Sequence, residues 1–289
     1  MIIDLYNTNM SLQEALFSAL PGDEIILDNK RYFEKIIIDK PNITIRGREA
    51  SIIDWDDCNG RIIPTIYGGN GVLKYGTTTS ATFRVLPEGK GFKAFNVTFM
   101  NSFERIDKKD GQAVAFKSEA FDTYIEGCKF ISKQDALYMD YGSNNIIKDS
   151  YIEGDIDFIF GSADCLFLNC DIKAIKVGDN AFYTAPNTLI INQYGFIFKD
   201  CRFTTVSDIN TYLIRPWYPS GAPQPVYPRL SIIDCKFYGD IEFEPIKMHK
   251  QSSSECVLKF YNTYLNDCKL NDSNCDVELK YINQIIWKS

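Results

Sequence analysis

The chain has 289 residues, of which 45% are hydrophobic and 24% are charged, a composition that can fill a sizeable core and excludes a disordered protein. Its net charge of −7 offers no basic surface to nucleic acid or to an anionic membrane, and no apolar run approaches the ~20 residues that span a bilayer. Its single histidine and nine dispersed cysteines without a close CxxC pair favour buried thiols over zinc or disulfides, so we expect no metal and no cofactor.

The first predicted element is a short helix near the N-terminus. Ser11-Leu12-Gln13-Glu14 has the pattern of a capping box, which predicts an amphipathic helix to about Leu20. Such a helix would cover the open end of a repetitive fold. The residues before it lack the basic start and apolar core of a signal peptide. We therefore expect a cytoplasmic protein from the chain as given, or a secreted one if a signal segment has been removed.

A four-residue pattern recurs along the middle of the chain: Asn, Asp or Gly, then Cys, Val or Ser, then any residue, then Phe or Ile. Its six copies begin at Asn96, Gly127, Asp149, Asn169, Asp200 and Asp234. Separations of 31, 22, 20, 31 and 34 residues are typical of a solenoid with loops inserted in some turns. We predict an all-β fold, a single right-handed parallel β-helix over residues 1–289, with Cys128, Cys170, Cys201 and Cys235 in an inward ladder.

Three segments share one register at intervals of 22 residues, beginning at Gln112, Gln134 and Ile156. As neighbouring strands about 4.8 Å apart, they would place Gln112 beside Gln134 and Asp135 beside Asp157. Close carboxyls titrate as one acid and one carboxylate, which with two amide donors suits acyl transfer. The register alone equally allows surface aspartates that coincide. Strict strand alternation would also turn Gln134 and Asp135 to opposite faces, so a bend is required.

Motifs beyond this register resemble those of the pectin methylesterases, carbohydrate esterases that demethylate polygalacturonan. The resemblance extends from about residue 11 to 220. It is carried by Tyr32-Phe33-Glu34, Thr77 with Ser80-Ala81-Thr82, Asn96-Val97-Thr98-Phe99-Met100-Asn101, QAVA at Gln112, QDALY at Gln134, GDIDFIFG at 154–161, TAPNT at 184–188 and LIRPW at 213–217.

The resemblance implies a carboxylic ester hydrolase that releases methanol from methylated homogalacturonan. Asp157 would be the nucleophile, and Asp135 would act first as the acid and then as the base. Gln112 and Gln134 would be the oxyanion donors, and Arg215 would keep Asp157 ionised.

The resemblance also implies substrate-binding side chains: Trp217, Tyr138, Phe160 and Thr77 match positions that line the groove. Core packing is an equal alternative for Phe160, and a run of three threonines leaves Thr77 uncertain by one residue. The usual Gly-Trp after the RPW segment is missing, so substrate length or methylation pattern is expected to differ from the family norm.

Rival functions stay open at this point. The main one is a non-catalytic β-helix that binds polysaccharide; a pectate lyase or polygalacturonase is less well supported, because no carboxylate cluster for calcium is visible. A serine hydrolase would have to use His249, which has no evident acidic partner. The expected partner is pectin or methylated oligogalacturonides, bound by a monomer, without nucleic acid or membrane.

Overall fold

The computed structural model of the chain describes residues 1–105, 111–219, 225–246 and 256–286. The helices are α1 (Leu12–Ser18), α2 (Thr77–Ser80) and α3 (Asp276–Ile286), with short 3-10 turns at Thr65–Tyr67 and Pro87–Gly89. In chain order the strands of the described residues are β1 (Ile2–Asp4), β2 (Glu24–Ile26), β3 (Arg31–Phe33), β4 (Ile36–Ile38), β5 (Thr44–Arg46), β6 (Ile52–Trp55), β7 (Phe83–Val85), β8 (Lys93–Phe95), β9 (Thr98–Asn101), β10 (Phe116–Ser118), β11 (Tyr124–Glu126), β12 (Lys129–Ile131), β13 (Leu137–Met139), β14 (Asn145–Lys148), β15 (Tyr151–Gly154), β16 (Ile159–Gly161), β17 (Cys165–Leu168), β18 (Asp171–Ala174), β19 (Asn180–Pro186), β20 (Phe196–Lys199), β21 (Arg202–Thr204), β22 (Asn210–Ile214), β23 (Arg229–Ile233), β24 (Lys236–Tyr238), β25 (Ile241–Glu242), β26 (Val257–Tyr261), β27 (Tyr264–Leu265) and β28 (Cys268–Lys269).

These strands form three long parallel sheets. Sheet A has the order β1-β2-β5-β8-β11-β14-β17-β20-β23-β26, sheet B the order β28-β27-β24-β21-β18-β15-β12-β9-β6-β3, and sheet C the order β25-β22-β19-β16-β13-β10-β7-β4. From β2 to β25 each coil gives one strand to sheet A, then one to sheet B, then one to sheet C. Only β27 and β28 pair antiparallel among the described strands. The chain is a right-handed parallel β-helix, which confirms the predicted fold class.

The recurring four-residue pattern marks the corner where each coil passes from sheet A to sheet B. Its first residue has a left-handed backbone in every copy, with φ between 48° at Asp149 and 66° at Gly127. Asn, Asp and Gly tolerate this conformation better than other residues, because a side chain usually clashes there. The corner geometry therefore explains the choice of residue at the first position.

The second position of the pattern faces inward, as predicted. Cys128, Cys170, Cys201 and Cys235 are all buried, and all nine cysteines of the chain are free thiols. The backbone N–H of Cys170 donates to the sulfur of Cys201 at 3.4 Å, and that of Cys201 to the sulfur of Cys235 at 3.3 Å. The sulfurs of Cys201 and Cys235 thus accept a hydrogen bond from the amide one coil below, and all four thiols fill the core.

The N-terminal end is covered by α1, as predicted, although the helix ends at Ser18. Ser11 is its N-cap and forms the complete capping box with Glu14. The carboxylate of Glu34 accepts hydrogen bonds from the N–H groups of Leu12 and Gln13, at 3.0 and 2.9 Å. An acidic side chain at this end also complements the helix dipole. This explains the glutamate of the Tyr32-Phe33-Glu34 motif.

Helix α3 was missed from the sequence. Its Tyr281, Ile282 and Ile285 pack on the outer face of sheet A, against apolar residues that include Leu166 and Ile197. The signal for this contact was present, because β17 and β20 are nearly continuous apolar runs and such strands are buried on both faces. Within the described residues, no helix is long and apolar enough to cross a membrane.

Candidate functional site

Asp135 and Asp157 lie at equivalent corners of successive coils, just before β13 and β16 of sheet C. Both have a left-handed backbone, with φ of 65° and 49°, and the N–H of Asp135 donates to the carbonyl of Ile156 at 3.1 Å. A left-handed residue interrupts the strict alternation of a strand. As a result, Gln134 and Asp135 line one cavity. This is the bend that the sequence required but did not locate.

The five predicted catalytic residues meet in one open cavity of about 540 Å³ on the outer side of sheet C. Asp135, Asp157, Gln112, Gln134 and Arg215 all line it. Asp135 and Asp157 are 6% and 7% exposed, so their carboxyls face the cavity while most of their surface is buried. The described residues hold no group of three or more His, Cys, Asp or Glu side chains placed to bind a metal.

The predicted register needs one correction. Gln112 pairs with Gln134 at the predicted interval, but Phe116 pairs with Leu137, one residue earlier than the 22-residue spacing requires. The N–H groups of Phe116 and of the residue before it both donate to the carbonyl of Ala136, at 3.1 and 2.9 Å. Two residues opposite one is the arrangement of a β-bulge. Between β13 and β16 the interval of 22 is correct.

Arg215 contacts the carboxylate of Asp157 through two of its nitrogens. Its Nε donates to Oδ1 at 2.8 Å, and its Nη2 contacts Oδ2. The guanidinium also lies 4.3 Å from the centre of the Phe182 ring, a cation–π contact that holds it from the other side. Burial raises the pKa of Asp157, and the charge and hydrogen bonds of Arg215 oppose that rise.

Of the two carboxyls, Asp135 has the more strongly raised pKa. Burial and then the neighbouring charge of Asp157 raise its pKa well above the ordinary value. Arg215 and a hydrogen bond from Gln134 oppose this shift without cancelling it. Within this close pair, the guanidinium of Arg215 thus favours the negative charge on Asp157 and the proton on Asp135.

The two glutamine amides are held by their carbonyl oxygens. Oε1 of Gln112 accepts from Nδ2 of Asn59 at 2.9 Å, and Oε1 of Gln134 accepts from Nη1 of Arg105 at 3.1 Å. With the oxygen of each amide engaged, its NH2 group is the part left to donate into the cavity. Two neutral donors at one site can stabilise an oxyanion, while the neighbouring carboxylate and acid can supply a nucleophile and a proton.

Three of the four predicted substrate-binding residues line the cavity: Thr77, Phe160 and Trp217. Phe160 is only 3% exposed and packs with Trp217 at 6.1 Å between ring centres, so it belongs both to the cavity wall and to a small apolar cluster. Thr77 begins α2, whereas the hydroxyl of Thr78 accepts from the buried ammonium of Lys117 at 2.9 Å. The structure thus assigns the cavity position to Thr77.

Tyr138 does not line the cavity. Its ring is stacked on that of Phe160 at 4.0 Å, and the ammonium of Lys117 lies 4.0 Å from the ring centre. It therefore supports Phe160 from the neighbouring coil and is 8% exposed. His249, which the serine hydrolase alternative needed, lies outside the described residues.

Sequence reasoning missed Asn59, Arg105, Asp155 and Phe182. Asn59 and Arg105 come from loops that do not follow the repeat, so no spacing pointed to them. Asp155 lies in the GDIDFIFG segment, but its nearness to Arg105, 50 residues earlier in the chain, had no sequence signal. Phe182 is one residue of the apolar strand β19, where it is indistinguishable from core residues by pattern.

Comparison with known proteins gives consistent results. The model of the pectinesterase family matches residues 26–274. Pectinesterase 31 of Arabidopsis thaliana is 37% identical over 221 residues, which cover 73% of this chain and 66% of that protein. The chain spans between about one third and two thirds of the length of the curated relatives it matches.

Solved structures extend the similarity to nearly the whole chain. The pectin methylesterase from Yersinia enterocolitica is 26% identical with a TM-score of 0.76, and the match covers 93% of this chain and 95% of that one. A crystal structure of a pectin methylesterase in complex with a hexasaccharide is 23% identical with a TM-score of 0.79, covering 95% and 91%. At that identity the second likeness concerns the fold.

Proposed function

This chain belongs to the pectinesterase family, and we propose that it hydrolyses the methyl esters of pectin and releases methanol, with Asp157 as the nucleophile. The observation that carries the proposal is the cavity in which two carboxyls from successive coils lie with one guanidinium and two amides. A protein that only bound polysaccharide would have no need of an acid beside a guanidinium-held carboxylate.

In the first half of the proposed reaction, a carboxylate oxygen of Asp157 attacks the carbonyl carbon of the methyl ester. The carbonyl oxygen becomes an oxyanion and accepts hydrogen bonds from the NH2 groups of Gln112 and Gln134. The bond to the methoxy oxygen then breaks, and Asp135 gives its proton to that oxygen, so methanol leaves. An acyl anhydride between Asp157 and the uronate remains.

In the second half, Asp135 is a carboxylate and takes a proton from a water molecule as that water attacks the uronate carbonyl of the anhydride. The bond to the oxygen of Asp157 breaks, which restores its carboxylate beside Arg215. Asp135 is protonated again, and the uronic acid product loses its proton to solvent. One water is consumed and one methanol is released.

The cavity wall supports a carbohydrate substrate. The rings of Phe160 and Trp217 offer apolar surface to the carbon face of a sugar, and Thr77 offers a hydroxyl in the same cavity. A structural neighbour is solved in complex with a hexasaccharide, which supports methylated homogalacturonan or its oligomers as the substrate class. The net charge of −7 further favours highly methylated, nearly neutral polymer over its demethylated product.

The test is methanol release from highly methylated homogalacturonan. Wild type should release methanol, and Asp157→Asn, which keeps the size of the side chain, should not. Asp200→Asn is the matched control, because Asp200 also occupies a left-handed corner, with φ of 57°, but lies outside the cavity. Release that survives Asp157→Asn would exclude the proposed nucleophile. Binding without any release by wild type would favour a polysaccharide-binding protein, and ultraviolet-absorbing products would favour a lyase.

A further inference from the structure

A buried ion pair lies directly behind Gln134. Nη2 of Arg105 is 2.8 Å from Oδ2 of Asp155, and the two side chains are 6% and 0% exposed. The same guanidinium donates through Nη1 to Oε1 of Gln134 at 3.1 Å. Oδ1 of Asp155 accepts from the N–H of Ile156 at 2.7 Å, which fixes the carboxylate on the coil that carries Asp157.

A buried ion pair by itself is weak evidence of stability, because removing both charges from water costs about as much as their attraction returns. What the pair does supply is a place for the guanidinium. The contact between Arg105 and Oδ2 of Asp155 is an ion pair without hydrogen-bond geometry, so charge attraction keeps the guanidinium beside the carboxylate while its other N–H groups point to nearby acceptors. One of those acceptors is the carbonyl oxygen of Gln134.

We propose that Arg105 is a positioning residue that holds the amide of Gln134 with its NH2 group toward the reacting ester, and that Asp155 anchors Arg105. This inference rests on the proposed function. An amide can rotate by half a turn, and Gln134 would then present its carbonyl oxygen to the oxyanion, which repels it. A cationic donor on Oε1 favours the productive orientation over the reversed one, and it polarises the amide so that its N–H donates more strongly.

The backbone next to Gln134 leaves room for this arginine. A Cβ built on Gly111 would lie 2.2 Å from Cδ of Arg105 and 3.3 Å from Oε1 of Gln134. Any side chain at position 111 would therefore displace Arg105 from its place. Glycine is required here by the close approach of the two side chains.

The amide of Gln112 is held by a different kind of donor from the amide of Gln134. Gln112 receives its hydrogen bond from the neutral amide of Asn59 at 2.9 Å, whereas Gln134 receives one from a cation. Loss of Arg105 should therefore impair one of the two oxyanion donors and leave the other in place. The expected effect is smaller than that of losing the nucleophile.

The experiment compares Arg105→Ala with the double variant that also carries Asp155→Asn. The double variant has no unpaired buried carboxylate. It therefore distinguishes an effect on the orientation of Gln134 from the destabilisation that an unpaired Asp155 carboxylate would cause. Both should lose about 10- to 100-fold in kcat with little change in KM, because the amide contacts the oxyanion only in the transition state. Guanidinium ion, added well below denaturing concentrations, should restore part of the activity of Arg105→Ala.

Arg31→Ala is the matched control, because Arg31 pairs with the fully buried Asp54 and lines no part of the cavity. Its kcat should match that of wild type. Neutron diffraction structures of wild type and the double variant, in which the NH2 group of an amide is seen directly, give a readout that does not depend on activity: Oε1 of Gln134 should face Arg105 in wild type and turn away in the variant.

The outcomes separate the two proposals. A double variant with wild-type kcat, or with Gln134 unmoved, overturns the positioning role. A wild type that releases no methanol, together with a Gln134 that turns in the variant, overturns the proposed function and leaves the positioning of Gln134 by Arg105 standing.

Discussion

Replacing Gln112 by alanine tests the oxyanion site most directly. The side chain would contribute one hydrogen bond to the developing oxyanion, and loss of one such donor costs about 2.7–4 kcal/mol, or about 100- to 1000-fold in kcat. The structure favours the lower end of this range. Gln112 is only half-buried, so a water molecule can partly replace its amide. We therefore expect about a 100-fold loss of kcat, with KM nearly unchanged.

The assay is steady-state methanol release, measured together with the Tm of each variant. The backbone of Gln112 should stay in place, because its carbonyl still accepts from the N–H of Asn59 at 2.8 Å. Gln193→Ala is the control, since Gln193 is exposed and does not line the cavity. A loss of less than tenfold, or a rise in KM at constant kcat, would refute the reasoning.

The remaining predictions concern charge and packing. Arg215→Gln removes the charge that lowers the pKa of Asp157, so the acid limb of the pH profile of kcat/KM should move to higher pH, and an unchanged limb would contradict the pairing. Burial and the charge of Asp157 raise the pKa of Asp135 in the folded protein. The neutral carboxyl therefore makes its full contribution to folding stability only below the ordinary pKa of about 3.9, and this contribution is lost as pH rises. Asp135→Asn should therefore raise Tm relative to wild type at pH 8 but not at pH 3, and equal differences at both pH values would argue against the raised pKa. Ile282→Ala in α3 should cost about 2 kcal/mol in urea unfolding because it leaves a cavity against sheet A, whereas Val277→Ala, which is 47% exposed, should change stability by less than about 0.5 kcal/mol.

The candidate site was partly predictable because it follows the repeat. Asp135 and Asp157 are 22 residues apart, and that interval holds between β13 and β16, so their adjacency follows from coil length. The pairing of Gln112 with Gln134 was predicted by the same interval. It holds even though a bulge shifts the register by one residue at Phe116, because the extra residue comes after Gln112.

The sequence could not predict the groups that orient these side chains. Arg105 reaches Gln134 from a loop that lies outside the repeat, and Asn59 reaches Gln112 across 53 residues. No periodic pattern records such contacts. The roles proposed for Asp157 and Arg215 came from family resemblance, since spacing alone left the two aspartates as either a dyad or a coincidence.

Sequence alone determined the coil length and the inward ladder of small residues, because each depends on residue types that recur at one position of the repeat. Tertiary structure decided the bulge before β10, the left-handed bend at Asp135 and the packing of α3 on sheet A. It also decided which nitrogen and oxygen atoms hold the two amides. These features depend on contacts between coils and loops that are far apart in the chain, and local residue preferences do not encode them.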